Sequence, residues 1–232
     1  MLDLYFKFIL NDDDTYLGVE HDKRIVEGWI RNNYSIYGDL TISDDLVVDC
    51  NGSVNVKNKS VTSLTNGIFR WGNVDGDFYC SCCNITSLEG APKEVGGEFN
   101  CSLCDDLVNL EGAPKEVGWD FNCRCCENLK SLEGAPKEIN GSFSCVQCVR
   151  LESLKGSPKK VISGFYCNGC NNLTSLEGAP EEVGSSFICS NCENLKTFEG
   201  APEKIVGVFV CSYCPNLKIT DSDRKRYKLY KY

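Results

Sequence analysis

The side chains in this sequence best equipped for chemistry are its cysteines, 17 in 232 residues. They recur as Cys-x2-Cys pairs, for example Cys101 and Cys104 followed by Cys123 and Cys126, with 18 residues between the pairs. Four thiolates at that spacing fit a structural zinc centre, which closes a tetrahedral shell around one ion. Two other chemistries fit the same residues. Thiols can pack as small hydrophobes in a shared interior, or they can form disulfides between pairs stacked on one another. The packing ladder is the preferred reading, because every neighbouring pair of units satisfies the zinc spacing and the spacing therefore discriminates nothing. An odd cysteine count also fits poorly with full pairing. Cys82 and Cys125 stand apart from the pairs, each in the position just before the second cysteine. Nucleophilic catalysis finds no constellation: the one histidine, His21, lies near the amino end, away from the cysteine pairs. No catalytic residue, metal ligand or cofactor is assigned on these grounds, and an enzyme is not expected.

What must position the thiols is a repeat. Val95 to Glu116 reads VGGEFNCSLCDDLVNLEGAPKE, Val117 to Glu138 reads VGWDFNCRCCENLKSLEGAPKE, and the pattern returns at Ile139, Val161, Val183 and Ile205. A copy shorter by one residue begins at Val74. Phe78, Phe99, Phe121, Phe143, Phe165, Phe187 and Phe209 form one column, with a cysteine two residues after each. Apolar residues two apart mark a short strand with one buried face. Two leucines follow, and then Gly-Ala-Pro or Gly-Ser-Pro, where glycine supplies an unusual backbone angle and proline blocks a helix. No single unit can bury its Phe, Cys and Leu, so the units must stack as coils. Val54, Val56, Lys59, Val61 and Leu64 keep the apolar spacing without cysteine and read as a first, degenerate coil. The second cysteine of each pair is expected to tighten the turn after the strand through weak bonds to backbone groups.

Strand residues between the buried columns form an open face, the common binding surface of such stacks. From these columns Tyr79, Asn100, Asn122, Arg124, Tyr166, Asn168, Ile188 and Tyr213 are taken as candidate contact residues. They vary among units while the core columns do not. The Lys-Glu pairs that follow the prolines are expected on the opposite side as solubilising charge.

Both ends of a stack need covers. Residues 22 to 34 place Ile25, Val26, Trp29 and Ile30 on one helical face, which predicts a helix over the first coil. Leu4 to Leu10 and Tyr16 to Val19 predict a hairpin around Asn11 to Asp14, whose acidic run lacks the pattern of a calcium loop. At the other end Arg224, Lys225, Arg226, Lys228 and Lys231 alternate with Tyr227, Tyr230 and Tyr232. A short helix covering the last coil, with Leu229 and a tyrosine facing inward, is preferred over a grip on single-stranded nucleic acid.

Net charge is −9, which repels phosphates and anionic membranes and disfavours a nucleic-acid role. No apolar run approaches a membrane-spanning length and no signal-peptide pattern opens the chain, so a cytoplasmic protein without membrane contact is expected.

The spacing V-x3-F-x-C-x2-C-x2-L-x2-L-x3-P resembles the leucine-rich repeat. Runs such as SLEGAPKEVGGEFNC, with the stretch from Gly38 to Leu64 before them, resemble leucine-rich-repeat-type proteins encoded by tailed bacteriophages. That resemblance implies a phage or phage-derived origin, a binding role and action in the host cytoplasm; it brings no site residues. The Gly-x-Pro loops also resemble bacterial effector ubiquitin ligases of the leucine-rich-repeat type, which need a separate catalytic domain. The expected fold is a β-rich repeat solenoid, leucine-rich-repeat-like, with a curved parallel sheet, short Gly-x-Pro convex loops and an N-terminal α/β cap. Its expected divisions are a cap at 1–52, a solenoid at 53–220 and a basic, aromatic tail at 221–232. The expected function is a non-catalytic protein-binding module, plausible as a phage protein that engages a host defence or regulatory factor. A zinc-binding structural protein is the alternative, and self-association through sheet edges stays open.

Overall fold

The computed structural model describes residues 19–56 and 60–227. It is a parallel β-solenoid of stacked coils, opened by a helix and closed by another. Helix α1 (Val19–Asn33) begins three residues earlier than its apolar face predicts. Val19 therefore belongs to the helix and not to a hairpin strand; the remainder of the predicted hairpin lies outside the described residues. Val26 and Ile30 are fully buried, with Trp29 half-buried beside them. Asn33 ends the helix by donating its side-chain amide to the Trp29 carbonyl at 2.9 Å.

Four strands follow: β1 (Tyr34–Tyr37), β2 (Leu40–Ile42), β3 (Val47–Cys50) and β4 (Ser53–Val56). β1 lies antiparallel on β4, and β2 antiparallel on β3, so the amino-terminal end of the stack is closed by reversed strands. After β5 (Arg70–Val74) and β6 (Phe78–Tyr79), each coil contributes two two-residue strands. One set is β8 (Phe99–Asn100), β10 (Phe121–Asn122), β12 (Phe143–Ser144), β14 (Phe165–Tyr166), β16 (Phe187–Ile188) and β18 (Phe209–Val210). With β1, β4 and β6 they make one nine-stranded sheet, in which every Phe pairs with the Phe of the next coil. Val54 of the degenerate coil takes the same column, opposite Phe78. Val56, Val61 and Leu64 are buried as expected of a first coil, while Lys59 lies outside the described residues.

The other set is β7 (Glu94–Val95), β9 (Glu116–Val117), β11 (Glu138–Ile139), β13 (Lys160–Val161), β15 (Glu182–Val183) and β17 (Lys204–Ile205). The Lys-Glu region is thus not merely loop: it forms a second face, split into a five-stranded and a four-stranded sheet between β9 and β11. Glu94 pairs with Glu116 in register, and Glu138 would stack a third carboxylate on them. Beyond the split the charges alternate, Glu138 on Lys160, Lys160 on Glu182 and Glu182 on Lys204. Like charges directly opposite one another weaken a strand pair and opposite charges support it.

Between the sheets each coil turns at its Leu-Glu-Gly-Ala segment. The Ala113 amide donates to the Leu110 carbonyl at 3.0 Å, and Gly112 has φ of 87°. A type II turn requires that left-handed angle at its third residue. A β-carbon on Gly112 would also meet the Glu89 nitrogen of the preceding coil at 2.4 Å. Inside, the phenyl rings form a continuous column, with Phe121, Phe143, Phe165 and Phe187 stacked at centroid distances of 5.2 to 5.3 Å. At the carboxyl end helix α2 (Asp221–Tyr227) lays Tyr227 on Phe209 at 4.6 Å, extending that column by one ring.

Candidate functional site

The cysteines settle into two interior columns. First-column thiols at Cys80, Cys101, Cys123, Cys145, Cys167 and Cys189 are buried, as are Cys83, Cys104, Cys126, Cys148, Cys170 and Cys192 of the second. Each second-column thiol from Cys104 onward donates to the carbonyl of the first-column cysteine in the preceding coil. Cys104 reaches Cys80 at 3.2 Å, Cys126 reaches Cys101 at 3.3 Å and Cys148 reaches Cys123 at 3.1 Å. Cys170, Cys192 and Cys214 repeat the contact at 3.2 to 3.3 Å. First-column thiols donate forward, Cys123 to the Ser144 carbonyl at 3.4 Å and Cys189 to the Val210 carbonyl at 3.7 Å. Sulfur here completes backbone bonding in a dry interior. Burial accordingly pushes the thiols of Cys101, Cys123, Cys167 and Cys189 well above their ordinary value. Among the described residues no three His, Cys, Asp or Glu side chains are grouped to hold a metal ion.

Between the two cysteines of each coil the chain passes through a left-handed residue. Cys82, Leu103, Cys125, Gln147, Asn191 and Tyr213 have φ of 54 to 62°, and Gly169 has 70°. Such an angle costs a non-glycine residue ~1–2 kcal/mol. Inter-coil bonds hold it in place: Cys82 N–H to the Ser102 carbonyl and Leu103 N–H to the Arg124 carbonyl, both at 2.8 Å. The conformation turns these side chains outward, leaving Leu103 49% and Tyr213 82% exposed. Period-two alternation gives no sign of it; the only sequence signals are Gly169 and Asn191 within the column.

All eight candidate contact residues lie on the outer side of the nine-stranded sheet or its adjoining turns, but they differ in availability. Tyr79 donates its hydroxyl to Asp77 Oδ2 at 3.0 Å, with Glu98 Oε2 at 3.5 Å. Burial, reinforced by these carboxylates, raises its pKa to about 12. Asn100 donates to Glu98 Oε1 at 2.8 Å and accepts the Ser102 amide at 3.0 Å. Asn122 likewise accepts the Arg124 amide at 3.2 Å. These three are therefore committed in part to bonds within the chain. Arg124 and Tyr213 are exposed, and Tyr166 and Ile188 are half-buried. The Tyr166 ring lies over Gly164, where a β-carbon would meet its hydroxyl at 2.3 Å. Asn168 keeps a buried Oδ1 that accepts no hydrogen bond among the described residues.

Sequence reasoning did not anticipate the corner column that borders this face. Asp77, Glu98 and Asp120 occupy it in successive coils, and Asp77 and Asp120 accept the amides of Glu98 and Ser142 at 2.8 and 2.6 Å. The face is therefore acidic and polar from Phe78 to Phe121 and apolar around Tyr166, Ile188 and Val210. A cleft of about 880 Å³ lies elsewhere, at the split in the second face beside Lys115, Lys137, Glu116, Glu138 and Asn140. Gly-Ala-Pro backbone and paired charges line it, with no aromatic or arginine anchor, so the sheet face remains the better candidate. No helix among the described residues is long and apolar enough to cross a membrane. No known protein family, curated protein or solved structure matches the chain.

Proposed function

We propose that the chain is a non-catalytic protein-binding module whose contacts are made by the outer face of the nine-stranded sheet. The observation that supports this reading is the contrast between columns. Interior Phe and Cys positions repeat from Phe78 to Phe209, whereas the outward positions change from coil to coil and include exposed Arg124 and Tyr213. Tyrosine and arginine on a rigid backbone are the residues that anchor interfaces. Nine strands at the usual spacing span ~38 Å, long enough for one partner to contact several coils at once. The likeness to leucine-rich-repeat-type phage proteins motivates the finer reading: a phage product that engages a host protein, such as a defence or regulatory factor, in the host cytoplasm.

A pull-down from bacterial lysate tests the module. Wild type is compared with a face variant (R124A, Y166A and Y213A together) and a second-face control (K115A with K137A). We expect a partner held by wild type and control and lost by the face variant. Equal recovery by all three would place the contact elsewhere.

A further inference from the structure

On the second face, from Lys93 onward, two backbone rungs tie each coil to the one before it, with a single exception. The first rung runs from the Lys93 amide to the Gly72 carbonyl at 2.8 Å and from Lys115 to Lys93 at 2.9 Å. It resumes from Lys159 to Lys137 at 2.7 Å and from Glu181 to Lys159 at 2.8 Å. The second runs from Gly96 to Val74 and from Gly118 to Val95, both at 2.8 Å, and resumes from Ile162 to Ile139 at 2.9 Å. At the split between β9 and β11 both are missing. No bond joins the Lys137 amide to the Lys115 carbonyl, or the Asn140 amide to the Val117 carbonyl.

The split is not a slipped turn. The Leu110 amide still meets the Glu133 carbonyl at 2.8 Å on one side of it, and Gly141 meets Trp119 at 3.0 Å on the other. What sets this place apart is charge. Glu94, which does pair with Glu116 in register, has its carboxylate neutralised by Lys93 Nζ at 3.2 Å. Glu116 and Glu138 are exposed and make no salt bridge among the described residues. Closing the split would set these two carboxylates side by side, and like charges directly opposite one another weaken a strand pair. Water replaces lost rungs on an exposed face, so staying open forfeits little and a modest repulsion suffices. One coil further on, Lys160 stands opposite Glu138 and the rungs are whole.

We propose that the split is a charge-held joint, kept open by the carboxylates of Glu116 and Glu138. Neutralising either one closes β9 onto β11, joins the five- and four-stranded sheets into one, and narrows the cleft beside them. The second face thus responds to local charge at one coil, while the nine-stranded sheet opposite stays continuous through Phe121 and Phe143.

The test reads single-amide hydrogen exchange by NMR on the full chain. In wild type the Lys137 and Asn140 amides should exchange faster than those of Lys115, Gly118, Lys159 and Ile162. Glu138→Lys gives this coil the residue type that Lys160 gives the next, and should slow both at least ~10-fold. Loss of a carboxylate by itself speeds base-catalysed exchange, so slowing reports new rungs and not an altered field. A second arm needs no substitution. Raising ionic strength from ~0.01 to ~1 M shortens the screening length from ~30 to ~3 Å, and should slow the same two amides in wild type. Exchange that E138K leaves unchanged while Gly118 and Ile162 stay protected, or that salt leaves unchanged in wild type, would overturn the proposal. So would slowing of the Lys137 amide in N140G but not in E138K, which would assign the split to the Asn140 side chain.

Discussion

A phenyl ring in the middle of the column and one at its end do different work. Phe143 is fully buried and stacked on both sides, at 5.2 Å from Phe121 and 5.3 Å from Phe165. Phe143→Ala opens a void that neither neighbouring coil can fill, since both are fixed by rungs above and below, and a loss of ~3–5 kcal/mol is expected. Phe209 is 8% exposed and belongs to a terminal coil that can fray without carrying the others. F209A should therefore cost less than F143A. Urea midpoints measured on both variants check the order, and a larger loss in F209A would mean that the column does not hold the stack. The same contrast accounts for what single residues disclose in sequence. Phe and Cys columns are legible because burial restricts them to one residue type. The outward columns are not, because Tyr79 and Asn100 have bonding partners, Asp77 and Glu98, whose geometry no alternation rule contains.

Helix α2 is short enough that its cap decides its stability. Thr220 Oγ1 accepts the Asp223 amide at 3.1 Å, while Asp223 Oδ2 accepts the Thr220 amide at 2.8 Å, a reciprocal pair that satisfies two donors at once. Losing such a cap costs ~0.5–2 kcal/mol, and seven residues have little else to hold them. We expect Thr220→Ala to unwind α2 and lift Tyr227 from Phe209, read as faster amide exchange confined to residues 205–227. Exchange that stays at the wild-type rate would show that the helix is held by something other than its cap. Elements were unequally legible for a related reason. The 22-residue period locates every Phe strand because those strands must bury one face. The two-residue strands β7, β9, β11, β13, β15 and β17 pass unnoticed, since each sets a single aliphatic residue beside a charged one, as Val95 stands beside Glu94 and Ile205 beside Lys204. The split between β9 and β11 depends on which charges meet across coils, and that is fixed only once the register is known.

At the scale of the whole molecule, a dry interior lined with thiols makes stability depend on pH in one direction. Burial raises the pKa of Cys101, Cys123, Cys126, Cys167 and Cys189 above the ordinary thiol value of 9.0. Unfolded chains lose these protons near pH 9 while the folded chain keeps them, so the stabilising contribution is complete below pH 9 and is lost as pH rises above it. Each such thiol removes about 1.4 kcal/mol by pH 10, and five together remove ~7 kcal/mol, comparable with the ~5–15 kcal/mol that holds a typical domain. The chain should therefore unfold cooperatively between about pH 9 and 10.5 under anaerobic, reducing conditions. Urea midpoints at pH 7.5, 9 and 10 measure the fall. Were the same cysteines bound to zinc, they would already be thiolates when folded. Stability would then fail in acid and on chelation while holding through pH 10. A midpoint that does not move between pH 7.5 and 10 is incompatible with sulfur acting as a neutral filler of the stack.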